Sequence, residues 1–296
     1  MATADSLQRF TFDKSHVRGE LVGLNKTLAD IFERQSYPEE VNKLLGQLLA
    51  AAALLSATVK INGLLTLQVQ GNGPVQLLQA ETTNDGKMRG IARLDADKEL
   101  AGDNLLGADA RLIITIDPDE GRRYQGIVAM EGDDLSKSLE GYFKQSEQLA
   151  TRLWLRCESG VAAGFLLQEL PKLGELQEEM EVDEDAWTRI THLGSTIKND
   201  ELLHLENDQI LHRLYHEEVV RTYDDEPLKF SCSCTKERLS VALEQMGYED
   251  CQEIIDEQQK IRADCQFCGQ HYSFGQSDIN GLFPMQSAKN QANRLH

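Results

Sequence analysis

Four thiols stand in two tight pairs near the C-terminal end of this chain. "FSCSCTKERLS", starting at Phe230, carries Cys232 and Cys234; "DCQFCGQHYSF", starting at Asp264, carries Cys265 and Cys268. The pattern is Cys-x-Cys, thirty intervening residues, then Cys-x-x-Cys. A tetrahedral zinc site takes four soft or borderline ligands, each thiolate at about 2.3 Å, and two short-spaced pairs supply two corners each. A lone Cys-x-x-Cys is a weak signal, but two pairs in one small module predict a zinc site held by Cys232, Cys234, Cys265 and Cys268. Phe267, Tyr272 and Phe274 are placed to pack around the second pair. Thiolates are also the form of cysteine that oxidants attack. The same four residues therefore suit a permanent structural clamp or a reversible redox trigger, and spacing alone leaves both open.

The elements that would hold these sulfurs are short. Between the pairs, "TKERLSVALEQMGYEDCQEIIDEQ" contains two helical patterns broken at Gly247. A module this small buries little apolar surface by itself. Structural zinc supplies about 10–16 kcal/mol of apparent binding free energy, against about 5–15 kcal/mol for the stability of a whole domain. The fold of the module is thus expected to depend on the ion. Residues 231–296 carry six basic and nine acidic side chains, and four thiolates with one zinc ion add further negative charge. Gripping nucleic acid, a common task of zinc ribbons, is disfavoured.

Upstream, residues 1–170 predict an α+β domain, a sheet domain with packed helices. β-rich stretches occur at Arg9–Asp13, Val17–Leu24, Leu64–Gln70, Val75–Thr82, Met88–Leu94, Arg111–Asp117, Tyr124–Met130, Thr151–Cys157 and Ala162–Leu170. Turn signals at 70–74, 83–86 and 117–121 separate several of them. Helical patterns fall at Thr27–Arg34, Pro38–Val59 and Asp134–Leu149. Strands in runs, rather than in strict alternation with helices, favour α+β over a parallel doubly wound sheet.

Residues 171–230 change character, with 16 acidic and 6 basic side chains. Leu173, Leu176 and Met180, then Leu203, Ile210 and Leu214, recur at helical spacing within this acidic stretch. It reads as a metastable helical linker, short of burial and weakened by like charges. Residues 231–287 form the cysteine module and 288–296 a polar tail.

The bulk composition narrows the field. The chain has 296 residues and a formal charge of −19, which repels phosphate backbones and anionic lipid surfaces. The apolar run Leu48–Ala57 is too short to span a bilayer and predicts a buried helix. "MATADSLQRFTFDK" lacks the apolar core of a secretory signal, so a cytoplasmic location is expected. Clustered cysteines there bind metal or do redox chemistry more often than they form permanent disulfides.

Other signals carry less. Cys157 alternates with Leu153 and Leu155 and reads as a sheet residue; Cys251 is flanked by acids, which raise a thiol pKa. His204, Asp208, His212 and His216 recur at i+4, but the Glu that follows the first His in a zinc-protease helix is missing. They read as a pH-sensitive surface stripe. "QGNGP" has the wrong spacing for a dinucleotide fingerprint, no P-loop Lys-Ser/Thr is present, and no hydrolase triad stands out.

"FSCSCTKERLSVALEQMGYED" and "CQFCGQHYSF" resemble the C-terminal zinc module of the heat-shock protein 33 family, the redox-regulated holdase chaperones. "GLLTLQVQGNGPV", "LEGYFKQSEQLATRLWL" and "LYHEEVVRTY" resemble that family in the same order, so the likeness runs along nearly the whole chain. The resemblance implies one zinc ion per chain in the reduced form, held by the four cysteines. It implies that oxidation forms Cys232–Cys234 and Cys265–Cys268 disulfides, releases zinc and unfolds the linker. The active species then binds unfolding client proteins without ATP, as a homodimer when oxidised and a monomer when reduced. A binding protein rather than an enzyme is therefore expected, with no nucleic-acid or membrane partner. Two rivals are a thiol-disulfide oxidoreductase using Cys265 and Cys268, and a zinc-stabilised adaptor of constant activity. The first lacks a thioredoxin-like βαβ context.

Overall fold

The computed structural model describes residues 5–59, 62–100, 102, 104–171 and 183–286. Contacts divide the chain into two compact units, Met1–Ser231 and Cys232–His296. The polar tail, most of the acid tract, and Leu173, Leu176 and Met180 lie outside the described residues.

The first unit begins with strands β1 (Ser6–Phe12) and β2 (Val17–Leu24) and helices α1 (Lys26–Phe32) and α2 (Glu39–Thr58). Five strands follow: β3 (Gly63–Gln70), β4 (Val75–Thr83), β5 (Lys87–Leu94), β6 (Arg111–Pro118) and β7 (Tyr124–Ala129). Helix α3 (Leu135–Tyr142) runs into a π-helical turn at Phe143–Glu147 and leads to β8 (Thr151–Glu158) and β9 (Val161–Glu169). Three short helices come next, α4 (Ala186–Gly194), α5 (Asn199–His204) and α6 (Asn207–Tyr215). The unit closes with a strap of three very short strands, β10 (Val220–Thr222), β11 (Glu226–Pro227) and β12 (Lys229–Phe230).

These elements form two sheets around one helix. Sheet A has the order β10-β1-β2-β9-β8, with β11 also on β1; sheet B has the order β12-β5-β4-β3-β6-β7. Helix α2 packs against strands of both. Pro38 starts it and Glu39 and Glu40 sit at the positive end of its dipole. Every residue from Leu48 to Leu55 is buried, as expected of a helix apolar on all sides. α2 is also the described helix long and apolar enough to cross a bilayer, and here it is the inner layer of the fold. Gly46 lets it approach sheet A: a Cβ there would meet the Cys157 Sγ at 2.3 Å.

Sheet A is covered on both faces, which explains the near-continuous burial of Ala162–Gln168 in β9. One face carries Leu7, Val22, Leu155 and Leu166 toward α2. The other presents Phe10, Phe12, Leu21, Phe165 and Leu167, covered by Ile190, Leu202, Leu203, Ile210, Leu214 and Tyr215 of α4–α6. The expectation of a poorly buried linker is corrected here. The apolar residues of α4–α6 all find the sheet, because three short helices turn their stripes in succession onto one aromatic face. Residues 220–230 are also strap rather than helix. β10 and β11 pair antiparallel with β1, and β12 pairs parallel with β5.

Glu20 of β2 points inward. It is 1% exposed and neither carboxylate oxygen has a hydrogen-bond partner. Burial pushes its pKa up to about 8, against the pull of Arg18 and Arg9 and with a further push from Glu226. A folded-state pKa above the unfolded value means the native state holds the extra proton. The stability this contributes is full below the ordinary Glu range and is lost as pH rises toward about 8, by roughly 1.4 kcal/mol per pH unit. Glu20→Gln is therefore expected to gain on the native protein between pH 5 and 8. Urea unfolding at pH 5, 6.5 and 8 checks it, and a stability difference independent of pH contradicts it.

The second unit holds α7 (Lys236–Met246), α8 (Tyr248–Gln258), the hairpin β13 (Ile261–Asp264) and β14 (His271–Phe274), and α9 (Gln276–Leu282). The helical break at Gly247 is where the sequence places it. The hairpin and α9 are additions to the sequence reading. Six buried residues, Leu243, Cys251, Ile255, Ile261, Phe274 and Ile279, make up its small core.

Candidate metal centre

Cys232 and Cys234 lie in the extended stretch leading into α7, and Cys265 and Cys268 in the turn of the β13–β14 hairpin. The local chemistry fixes both segments. The Thr235 hydroxyl caps α7 by accepting from the Arg238 N–H at 3.2 Å. Arg238 in turn donates from Nη1 to the Ser233 carbonyl at 3.0 Å and to Ser233 Oγ at 2.6 Å, pinning the residue between the first two cysteines. In the hairpin, the Cys265 N–H donates to the Gln270 carbonyl at 2.9 Å. The Gly269 N–H donates to the Cys265 carbonyl at 2.8 Å, with Gly269 at φ 69°, where a side chain is strained.

The four Sγ atoms lie within 4.8 Å of one another. Cys232 and Cys265 sulfurs are 3.6 Å apart, and those of Cys234 and Cys268 are 3.3 Å apart. A tetrahedron with arms of about 2.3 Å has edges of about 3.8 Å, so the donor set fits one metal ion. The electrostatics point the same way. Burial raises the Cys234 thiol, but hydrogen bonds from the Tyr272 hydroxyl and the three other thiols outweigh it and bring Cys234 down to about 7. Burial, together with the neighbouring thiols, pushes Cys268 up to about 12, and burial also raises Cys265. Four thiolates cannot gather here on their own; a bound cation relieves that conflict.

Tyr272 adds a contact the sequence does not announce. Its hydroxyl lies 3.2 Å from Cys234 Sγ and 3.1 Å from the Cys234 carbonyl, reaching from the hairpin to the other pair. Such outer contacts orient metal ligands and typically cost 10–100-fold in metal affinity when removed. Tyr272→Phe is expected to weaken metal binding by about tenfold in a chelator-competition titration. Unchanged affinity would show the hydroxyl to be a bystander.

Comparison with known proteins decides the family. The family model described as Hsp33 protein matches residues 5–275. The chain belongs to the Hsp33 family. The 33 kDa chaperonin of Pseudomonas syringae pv. syringae is 48% identical over 282 residues, covering 94% of this chain and 93% of that protein. The 33 kDa chaperonin of Pseudomonas paraeruginosa is 45% identical over 286 residues, 96% of each chain. Among solved structures, the 33 kDa chaperonin of Thermotoga maritima superposes with a TM-score of 0.78 at 20% identity, over 96% of this chain and 99% of that one. The fold is thus that of an Hsp33 structure.

The other two cysteines of this Hsp33 family member stand apart from the cluster. Cys157 is buried against α2, with Sγ 3.6 Å from the Asn42 carbonyl, and burial pushes its thiol up to about 12. Cys251 is wholly buried, its Sγ 3.5 Å from the Leu243 carbonyl, and burial raises its pKa before Asp250 adds to it. The histidine series is divided, since α5 ends at His204 and α6 begins at Asn207. Among the described residues the four cysteines are the one cluster with metal-ligating geometry.

Proposed function

We propose that this chain is a cytoplasmic, zinc-loaded holdase chaperone switched on by oxidation. The observation that carries this reading is the apolar aromatic face of sheet A, covered by α4–α6 in the stretch that leads to the four cysteines. Those helices span nine, six and nine residues, shorter than the roughly 12–15 residues at which an isolated helix becomes marginal in water. They hold their shape because the sheet does. A cover that depends on its substrate-binding face is suited to removal.

In the reduced monomer, Cys232, Cys234, Cys265 and Cys268 hold one zinc ion as thiolates. When bound, zinc supplies a cross-link between two segments thirty residues apart. The cysteines are half-buried and within reach of a small oxidant such as a peroxide. Cys232 joins Cys234 and Cys265 joins Cys268; each new S–S bond gives up two electrons, and one peroxide takes them with two protons to become two waters. Disulfide sulfurs no longer serve as thiolate ligands, and the small core of six residues is left without its clamp. Release of α4–α6 then bares Phe10, Phe12, Leu21, Phe165 and Leu167 for apolar segments of unfolding proteins. The oxidised form works as a homodimer and needs no ATP. Membranes and nucleic acids are not among its partners.

The test is an aggregation assay on a thermally unfolding client, run with reduced and peroxide-treated protein while a chromogenic chelator reports zinc. Suppression of aggregation is expected to rise in step with zinc release. Equal activity before and after oxidation points instead to a constitutive adaptor. Catalytic turnover of a dithiol substrate points to an oxidoreductase.

A further inference from the structure

A second site lies between the two sheets, away from the face covered by α4–α6. A cavity of about 470 Å³ opens at the C-terminal end of α2, with Leu55 and Val59 as its floor. Ligand pockets usually run to about 300–1,000 Å³, mostly apolar with a few convergent polar groups. Strand registers give this one two unlike walls. On sheet B, Leu65 pairs with Ile116 and Ile116 with Tyr124, an apolar row. On sheet A, Arg18 pairs with Gln168 and Gln168 with Thr151, a polar row.

The polar row is a relay with a surplus at one end. Arg18 Nη2 donates to Gln168 Oε1 at 2.7 Å, and Gln168 Nε2 donates to Thr151 Oγ1 at 2.9 Å. Arg18 Nε is buried without a partner, and among the described residues no carboxylate makes an ion pair with this guanidinium. Glu20, two residues along β2, feels this charge, but its burial keeps it protonated below about pH 8, so the guanidinium stays uncompensated there. Among the described residues lining the cavity, Glu147 is the one acid, and its carboxylate accepts from the Tyr142 hydroxyl at 2.9 Å. The wall that carries it is the π-helical turn Phe143–Glu147, followed by Gln148 at φ 56°, backbone of the kind found at functional sites.

A cation lacking its counter-ion, set opposite an apolar wall, defines an amphiphilic acid. We propose that this cavity binds a medium-chain fatty carboxylate, with the head group on Arg18 and the alkyl chain over Leu65 and Ile116.

Decanoate titrated into the reduced, metal-loaded chain tests this, followed by NMR of isoleucine methyl groups. The expected result is saturable binding of one decanoate per chain, with shifts at Ile114 and Ile116 and none at Ile127, which is 62% exposed on the outer face of sheet B. Decanol, which lacks the charge, and Arg18→Gln are each expected to weaken binding by about tenfold, the loss of one charge-assisted hydrogen bond. Ile116→Trp, which fills the cavity, should abolish it. Equal binding of decanol and decanoate, non-saturating binding, or shifts confined to Ile127 would overturn the proposal. Should Arg18→Gln not fold, the decanol arm and Ile116→Trp decide the question by themselves.

Discussion

Chelating the metal from the reduced protein is expected to unfold residues 232–286 while the sheets of the first unit stay folded. The reasoning starts from supply. Among its described residues the second unit has six buried apolar side chains and a hairpin of two four-residue strands. Such a core is too small to offset the ordering of its chain. A structural zinc ion typically contributes on the order of 10 kcal/mol or more, which in a unit this small would exceed any other single interaction. Calorimetry should show one transition lost and one retained. Cys232→Ser combined with Cys265→Ser should reproduce the demetallated trace without chelator. Under the proposed function, hydrogen exchange in α4–α6 should quicken at the same time. Superimposable melting curves with and without metal would remove the basis for a metal-gated switch.

The second large effect should come from lifting the helical cover without touching a thiol. Leu214 of α6 is 5% exposed and belongs to the cluster that seats α4–α6 on sheet A. Leu214→Asp removes a buried side chain and places a carboxylate in the apolar cluster that holds Phe12 and Tyr215, whose rings meet edge to face at 4.8 Å. The cost to docking is on the order of 3 kcal/mol or more. Sheet A retains its packing on α2 through Leu7, Val22, Leu155 and Leu166. The reduced, metal-loaded variant is therefore expected to suppress client aggregation about as well as oxidised wild type. Hydrogen exchange must show α4–α6 released for the result to count. Released helices with no gain in activity would mean that the covered face is not where clients bind.

Much of this architecture can be read from local patterns, and the exceptions share a cause. Residues of α2 are apolar at every turn between Leu48 and Leu55, and the β-rich runs place β2 to β9 within one residue at either end, whereas β1 begins three residues before its expected start. The sulfur cluster is legible because its ligands come in pairs and metal geometry demands four. The strap is not. Its strands have three, two and two residues, too short to show any period, and their partners β1 and β5 lie far away in sequence. Tyr272 reaches Cys234 across 38 positions, a contact made by folding rather than by spacing. Glu20 hides for another reason: β2 carries apolar residues on both faces, so alternation does not say which way a carboxylate turns. The burial of α4–α6 is hidden in the sequence because acidic composition describes the outer side of a helix and is silent about the inner one.

The strap also decides which backbone edges are open. It pairs with β1 in antiparallel sense and with β5 in parallel sense, so a single eleven-residue ribbon covers one edge of each sheet. Lifting it leaves two rows of backbone donors and acceptors open to any passing chain, another copy of this one included. In the proposed oxidised form, edges opened in this way would offer a second copy of the chain a pairing surface, in keeping with the proposed homodimer.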